Sequence, residues 1–141
     1  MDSQGIVQWD ELYPTREILA MDIERREMHV LEFEGKTAGF IVLNEHQEPE
    51  YAAVQWQFPG PALVVHRLTV HPAFQRRGFA SRLMDFAEES ASARHYAAVR
   101  LDAFTKNPGA CVLYMNRGYR KAGIVRFRKG EFFCFEKNTD Q

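Results

Sequence analysis

The sequence is poor in the residues that build metal sites or crosslinks: it has two cysteines and five histidines in 141 residues. Cys111 and Cys134 lie far apart in apolar runs, ACVLY and FFCFE. They read as buried, unpaired thiols rather than a disulfide. His29, His46, His66, His71 and His95 stand singly, so the Cys/His spacing of a metal site is missing and no metal is expected. An excess of one charge is missing too. Eighteen basic and nineteen acidic side chains leave a formal net charge of -1, which argues against a nucleic-acid or anionic-membrane partner. No apolar run approaches the ~20 residues of a membrane span. The opening MDSQGIVQWDELYP carries no basic segment ahead of an apolar one. No secretory signal is therefore expected, and the cytoplasm is the expected compartment. With no internal repeat, low-complexity tract or linker, residues 1–141 read as a single domain.

What is present is an ordinary globular balance, 45% hydrophobic and 26% charged. Thr15, after Pro14, caps a helix whose Ile18, Leu19 and Ile23 share a face. Met28–Phe33 and Lys36–Leu43 flank the turn signal Glu34-Gly35 and read as a hairpin. Residues 44–50 form a polar loop, and Tyr51–Trp56 reads as a short strand before Pro59, Gly60 and Pro61. Leu63–Val70 is rich in β-branched residues and is the clearest strand. Gly78–Ala91 has helical spacing of Phe79, Leu83, Phe86 and Ala87, and Ala97–Phe104 returns to strand. Pro108–Arg117 is a helix stopped by Gly118, and Tyr119–Val125 with Glu131–Lys137 closes the chain as a strand pair. This order predicts a mixed α/β (α+β) sheet with a right-handed parallel crossover between Leu63 and Phe104.

The stretch with the most chemistry is Leu68–Ser81, LTVHPAFQRRGFAS. A strand ends, a loop passes Pro72, and a helix starts beside Gly78. The first N–H groups of a helix have no partners of their own and make a site for phosphate. Gly78 admits close backbone approach, Ala80 keeps the helix start uncrowded, and Arg76 and Arg77 bring positive charge. A plain strand–loop–helix turn with a solvated Arg pair would use the same residues. The Gly-Lys-Ser/Thr ending of a nucleoside-triphosphate loop and the Gly-x-Gly-x-x-Gly of a dinucleotide fold are both absent.

The run QRRGFA, with its lead-in LTVHPAFQ, resembles the Gln/Arg-x-x-Gly-x-Gly/Ala motif of the GNAT superfamily of N-acetyltransferases. Ala80 replaces the commoner Gly. A second feature follows in order: VRLDAF, then Asn107 in TKNPGA, then Leu113-Tyr114 and Gly118-Tyr119. The likeness covers residues 63–137 well and the earlier part loosely.

The resemblance implies a centrally splayed mixed sheet with helices on both faces. It implies a reaction in which an amine attacks the thioester of acetyl-CoA, with acetyl-CoA as co-substrate and no metal. The pantetheine arm would bond the backbone of Leu68, Thr69 and Val70, with the Val70 N–H polarising the thioester carbonyl. The pyrophosphate would rest on the backbone from Gln75 through Arg76, Arg77, Gly78, Phe79 and Ala80 to Ser81. Asn107 would reach the arm, and Tyr114 would stand near the sulfur as general acid. Two groups compete for the general base, Asp102 and His66. Each has a structural alternative: ring packing for Tyr114, a bond to Arg100 or a loop amide for Asp102, a satisfied strand histidine for His66. Trp9, Trp56, Phe58, Phe132, Phe133 and Phe135 read as core, with Trp56 or Phe58 alternatively lining an acceptor pocket.

The family usually opens with a strand and a long helix, and the dozen or so residues before Thr15 are too few for both. The expectation is a fold lacking that first strand and helix, with the Met28–Phe33 edge covered by self-association as a symmetric dimer. The acceptor is expected to be a small-molecule or peptide amine. Two other readings stay open: a non-catalytic acyl-CoA-binding module, and a phosphate- or RNA-binding module using Arg76, Arg77, Arg126 and Arg128.

Overall fold

The computed structural model describes residues 27–139. The Thr15 helix, Trp9, the expectation of no first strand and helix, and the dimer expected from it fall outside the described residues. Those that are described form β1 (Met28–Phe33), β2 (Lys36–Asn44), β3 (Ala62–Val70), α1 (Phe79–Ala93), β4 (Ala98–Phe104), α2 (Pro108–Asn116), β5 (Arg120–Phe127) and β6 (Gly130–Asn138). The strands make one mixed six-stranded sheet in the order β1-β2-β3-β4-β6-β5. β3 pairs with β4 in parallel, from Ala62 opposite Ala98 to Val64 opposite Arg100, while β4–β6 and β5–β6 are antiparallel. Chain contacts divide these elements into two compact units, one ending at Asn44 and resuming over Val65–Ala87, the other holding Glu45–Val64 and the residues from Glu88 onward.

The first unit is built on the β1–β2 hairpin. Its two-residue turn has both central residues at positive φ, Glu34 at 53° and Gly35 at 78°, the backbone of the tight turns whose twist matches that of the strands. Gly39 is set by packing: a Cβ there would lie 2.5 Å from the Thr69 carbonyl oxygen and 3.2 Å from Val70 Cα. After Val70 the chain is tied back by the His71 N–H, which donates to Ala38 O at 2.7 Å. It then turns through a short 3₁₀ segment, Pro72–Phe74.

The second unit centres on Tyr51, Val54, Val64, Val125 and Cys134, with Trp56, Ala122, Phe127 and Phe132 packed against them. Cys111 and Cys134 are buried and unpaired. Residues 51–56 are a correction: Pro49–Ala53 is a 3₁₀ turn, not a strand. Local bonds explain it. The Tyr51 N–H donates to Glu48 O at 2.9 Å, and the Trp56 indole N–H donates to Tyr51 O at 3.0 Å, so these groups are consumed within the loop. Gly118, at φ 93°, closes α2 with the Tyr119 N–H bonded to Tyr114 O at 3.1 Å, a glycine-stopped helix end. α1 ends the same way without glycine. His95 takes φ 64° and the Tyr96 N–H bonds Ala91 O at 2.9 Å, so the helix runs past the Ala91 end that its spacing suggested. No helix among the described residues is long and apolar enough to cross a membrane.

The Gly39 contact gives a direct test of the first unit. Gly39→Ala should lower unfolding stability by roughly 1–3 kcal/mol, the usual cost of forcing a carbon into a filled space. Urea denaturation of the two proteins measures it, and equal midpoints would mean that the Thr69 carbonyl gives way freely.

Candidate active site

In the first unit, Leu68 is half-buried and Thr69 and Val70 are buried at the end of β3. The strand is irregular just before them, since Arg67 holds φ 50° and its carbonyl accepts the Thr69 hydroxyl at 3.1 Å. His71 Nδ1 accepts the Ala73 N–H at 3.2 Å and so fixes the start of the next turn. The chain then passes exposed Gln75, Arg76 and Arg77, with Arg76 at φ 64° and Gly78 at φ 81°. Left-handed steps of this kind recur in backbone loops that bind anions.

α1 starts at Phe79, and its first intrahelical bond from this loop is the Arg82 N–H to Gly78 O at 3.1 Å. Consequently the N–H groups from Arg76 to Ser81 have no acceptor among the described residues. The first turn of α1 carries no acidic side chain, so nothing opposes the positive end of the helix dipole there. A side chain at Gly78 would meet open space, with no atom within 4 Å. The residues fit a phosphate-bearing ligand through backbone donors. Arg77 is placed differently from the sequence expectation. Its guanidinium lies over three rings, 5.1 Å from Phe33, 5.6 Å from Phe74 and 5.7 Å from Phe79, so its charge is held on an aromatic cluster by cation–π attraction.

His66, in the same unit, has a defined partner. The Asn44 amide nitrogen donates to Glu27 Oε1 at 3.2 Å, which turns the Asn44 oxygen toward His66 Nε2 at 2.8 Å. The proton on Nε2 is thereby committed, and a base role for this ring would fall to Nδ1.

The second unit holds Asp102, Asn107 and Tyr114. Asp102 lies on β4 opposite Cys134 of β6, and its Oδ2 accepts the Tyr51 hydroxyl at 2.6 Å. Burial pushes the Asp102 carboxyl above the usual carboxylate range, against the lowering effect of the Tyr51 hydrogen bond, and the Glu48 charge adds to the rise. Tyr114, on α2, is 6% exposed; its ring packs on Tyr119 at 5.9 Å and Phe135 at 5.7 Å. Its hydroxyl makes no hydrogen bond among the described residues. Burial, then the Asp102 charge, then Cys111 raise its pKa, so the phenol keeps its proton at neutral pH. Asn107 caps α2, with Oδ1 accepting the Ala110 N–H at 3.2 Å, which leaves its amide nitrogen for other partners. Residue spacing did not disclose Tyr51. It bonds a residue 51 positions away, and an aromatic in a loop carries no mark of that. Among the described residues no group of three His, Cys, Asp or Glu side chains is placed to hold a metal.

Orphan N–H groups at a strand–loop–helix turn in the first unit suit a phosphate-bearing ligand. The comparisons narrow this to a family. The profile of the acetyltransferase (GNAT) family matches residues 3–119, and the chain belongs to that family, whose reaction is acyl transfer from acetyl-CoA. Solved structures share the fold. A Staphylococcus aureus Mu50 protein assigned as an acetyltransferase is 28% identical, with 96% of this chain and 87% of that one covered and a TM-score of 0.74. A GNAT-family acetyltransferase from Streptococcus agalactiae is 23% identical over 97% of this chain and 80% of that one, at a TM-score of 0.80. A GNAT-family acetyltransferase from Elizabethkingia anophelis, solved with acetyl-CoA bound, is 15% identical over 89% and 84%, at a TM-score of 0.69. A search of curated proteins finds no significant match.

The raised Asp102 pKa sets a sign for stability. A carboxyl whose folded pKa lies above its unfolded value weakens the fold as pH rises through the unfolded pKa, and the penalty is complete above the folded one. Asp102→Asn should therefore be at least as stable as the wild type at pH 7.5, with its advantage shrinking toward pH 4. Urea midpoints at both pH values check this; a variant less stable at pH 7.5 than at pH 4, relative to wild type, would show that the charge is favourable in place.

Proposed function

We propose that the protein is an N-acyltransferase that moves an acetyl group from acetyl-CoA to a primary amine, borne by a small molecule or a peptide, through direct attack on the thioester. The observation that carries this reading is the run of N–H groups from Arg76 to Ser81 without an acceptor among the described residues. Donors in that number suit a pyrophosphate. In this reading Gly78 lets the ligand approach the backbone, Leu68 and Thr69 bond the pantetheine arm, and the Val70 N–H polarises the carbonyl that accepts charge on attack. The Asn107 amide nitrogen donates to the arm.

Acetyl-CoA supplies an activated acetyl group. The remaining work is proton movement. Asp102 takes one proton from the acceptor ammonium and yields a neutral amine. The new C–N bond forms, the C–S bond breaks, and the amide nitrogen gives up its second proton. Tyr114 donates a proton to the departing sulfur and is reprotonated, so one proton in all reaches solvent. The protonated state of Tyr114 and the raised Asp102 pKa, which is nearer neutrality than an ordinary carboxylate, both suit these tasks. His66 is the alternative base and would act through Nδ1, since Nε2 is bonded to Asn44.

Two variants test the reading as a pair. Gly78→Val should weaken acetyl-CoA binding by calorimetry more than tenfold while the protein stays folded. Tyr114→Phe should bind acetyl-CoA normally yet lose about 10²–10⁴-fold in turnover, measured as thiol release with a panel of amines. Unchanged affinity in the first would remove the cradle, and full turnover in the second would reduce Tyr114 to packing.

A further inference from the structure

Arg100 and Asp102 are two residues apart on β4 and therefore share one face of the sheet. Across β6 their partners are Glu136 and Cys134. The 3₁₀ turn Pro49–Ala53 supplies Tyr51 to this face. Tyr51 is 2% exposed. Its carbonyl accepts both the Val54 N–H at 3.1 Å and the Trp56 indole N–H at 3.0 Å, and its ring lies 5.2 Å from that of Trp56. The Arg100 guanidinium stacks on Trp56 at 4.5 Å. It donates to Phe58 O at 3.0 Å and Gln47 Oε1 at 3.2 Å. Tyr51 thus cannot swing away from Asp102 without undoing a set of buried contacts.

Held in this way, the phenol meets one oxygen of the carboxylate at 2.6 Å, the length of a hydrogen bond to a charged acceptor. Asp102 Oδ1 has no hydrogen-bond partner among the described residues. We propose that Tyr51 is a positioning residue for Asp102: its hydroxyl fixes Oδ2, sets the plane of the carboxylate, and leaves Oδ1 as the oxygen that takes the ammonium proton. This rests on the reading of Asp102 as general base. Tyr51 also sets the strength of that base. Its donated bond stabilises the carboxylate, while burial and the Glu48 charge oppose ionisation. The other titratable or charged neighbours are Cys134 and Tyr114, each raised first by burial and then by the Asp102 charge, and Arg100 on the same strand face, whose guanidinium is turned to Trp56 and the Phe58 carbonyl. None of these supplies a second donor to the carboxylate.

Tyr51→Phe removes one oxygen and keeps the ring. The Asp102 carboxyl, followed by carbon-13 NMR with labelled aspartate, should titrate about one pH unit higher. The acid limb of kcat/KM should move up with it, with little change in KM for acetyl-CoA. If Tyr51→Phe does not fold, 3-fluorotyrosine at position 51, a stronger donor of nearly the same shape, should move both readouts down instead. A carboxyl titration that does not move overturns the proposal. So does a carboxyl that moves while the kinetic limb stays, and Asp102→Asn then says which reading failed. Full activity in Asp102→Asn means that Asp102 is no base; lost activity means that it is a base which Tyr51 does not govern.

Discussion

A carboxylate taken wholly out of water must be surrounded by donors or it undoes the fold that buries it. Glu136, 0% exposed, imposes that condition on the second unit. It accepts the N–H groups of Gln57 at 2.8 Å and Phe58 at 3.0 Å and Arg120 Nη1 at 3.0 Å, and it faces Arg100 Nε at 3.6 Å. One side chain thereby fixes the loop before β3, the first residue of β5 and the guanidinium of β4. Arg100 in turn floors Trp56, Trp56 ties Tyr51, and Tyr51 holds Asp102. The candidate base is thus oriented by a sequence of contacts that starts at a buried charge well away from it in the chain. A second carboxylate works similarly. Glu88 accepts from Arg117 at 3.1 Å, Tyr119 at 2.9 Å and Lys137 at 3.0 Å and so joins α1 to the end of α2 and to β6. Burial alone would raise its pKa; the bonds to Arg117, Lys137 and Tyr119 bring it below the usual carboxylate value.

The first unit obeys the complementary rule, that backbone donors need acceptors. There the protein leaves a run of them unmet, from Arg76 to Ser81, in a loop that two left-handed residues hold open. Water can satisfy such groups, and so can phosphate oxygens, which match them in charge as well. Arg77, stacked on Phe33, Phe74 and Phe79, braces the loop from its own side chain and leaves the backbone as the binding surface.

Much of this was legible in the sequence where the cause is local. The Glu34-Gly35 turn, the β-branched run of β3, the Pro108 start and the Gly118 stop of α2 each depend on one or two adjacent residues, and each lies where those residues put it. The loop-to-helix turn at Gly78 was legible for the same reason, because Gly78 and the helix start that follows it are contiguous. Causes that act across the chain were hidden. The close approach of Thr69 to Gly39 depends on strand pairing, and no local pattern marks that glycine. His95 takes the left-handed role that glycine usually fills, so the end of α1 carried no stop signal. Tyr51–Trp56 has strand-forming residues, yet Pro49 and the bond from the Trp56 indole to the Tyr51 carbonyl make a 3₁₀ turn. Asp102 was a candidate through the family resemblance, but its partner Tyr51 was not.

The central claim is that the backbone from Arg76 to Ser81 receives the pyrophosphate of acetyl-CoA. Amide NMR of the nitrogen-15-labelled protein tests it most directly, by titration with acetyl-CoA and separately with inorganic pyrophosphate. Large downfield shifts of the amide protons from Arg76 to Ser81 are expected with both ligands, since each N–H exchanges water for a charged acceptor. Amides from Arg76 to Ser81 that stay in place at saturating acetyl-CoA would contradict it.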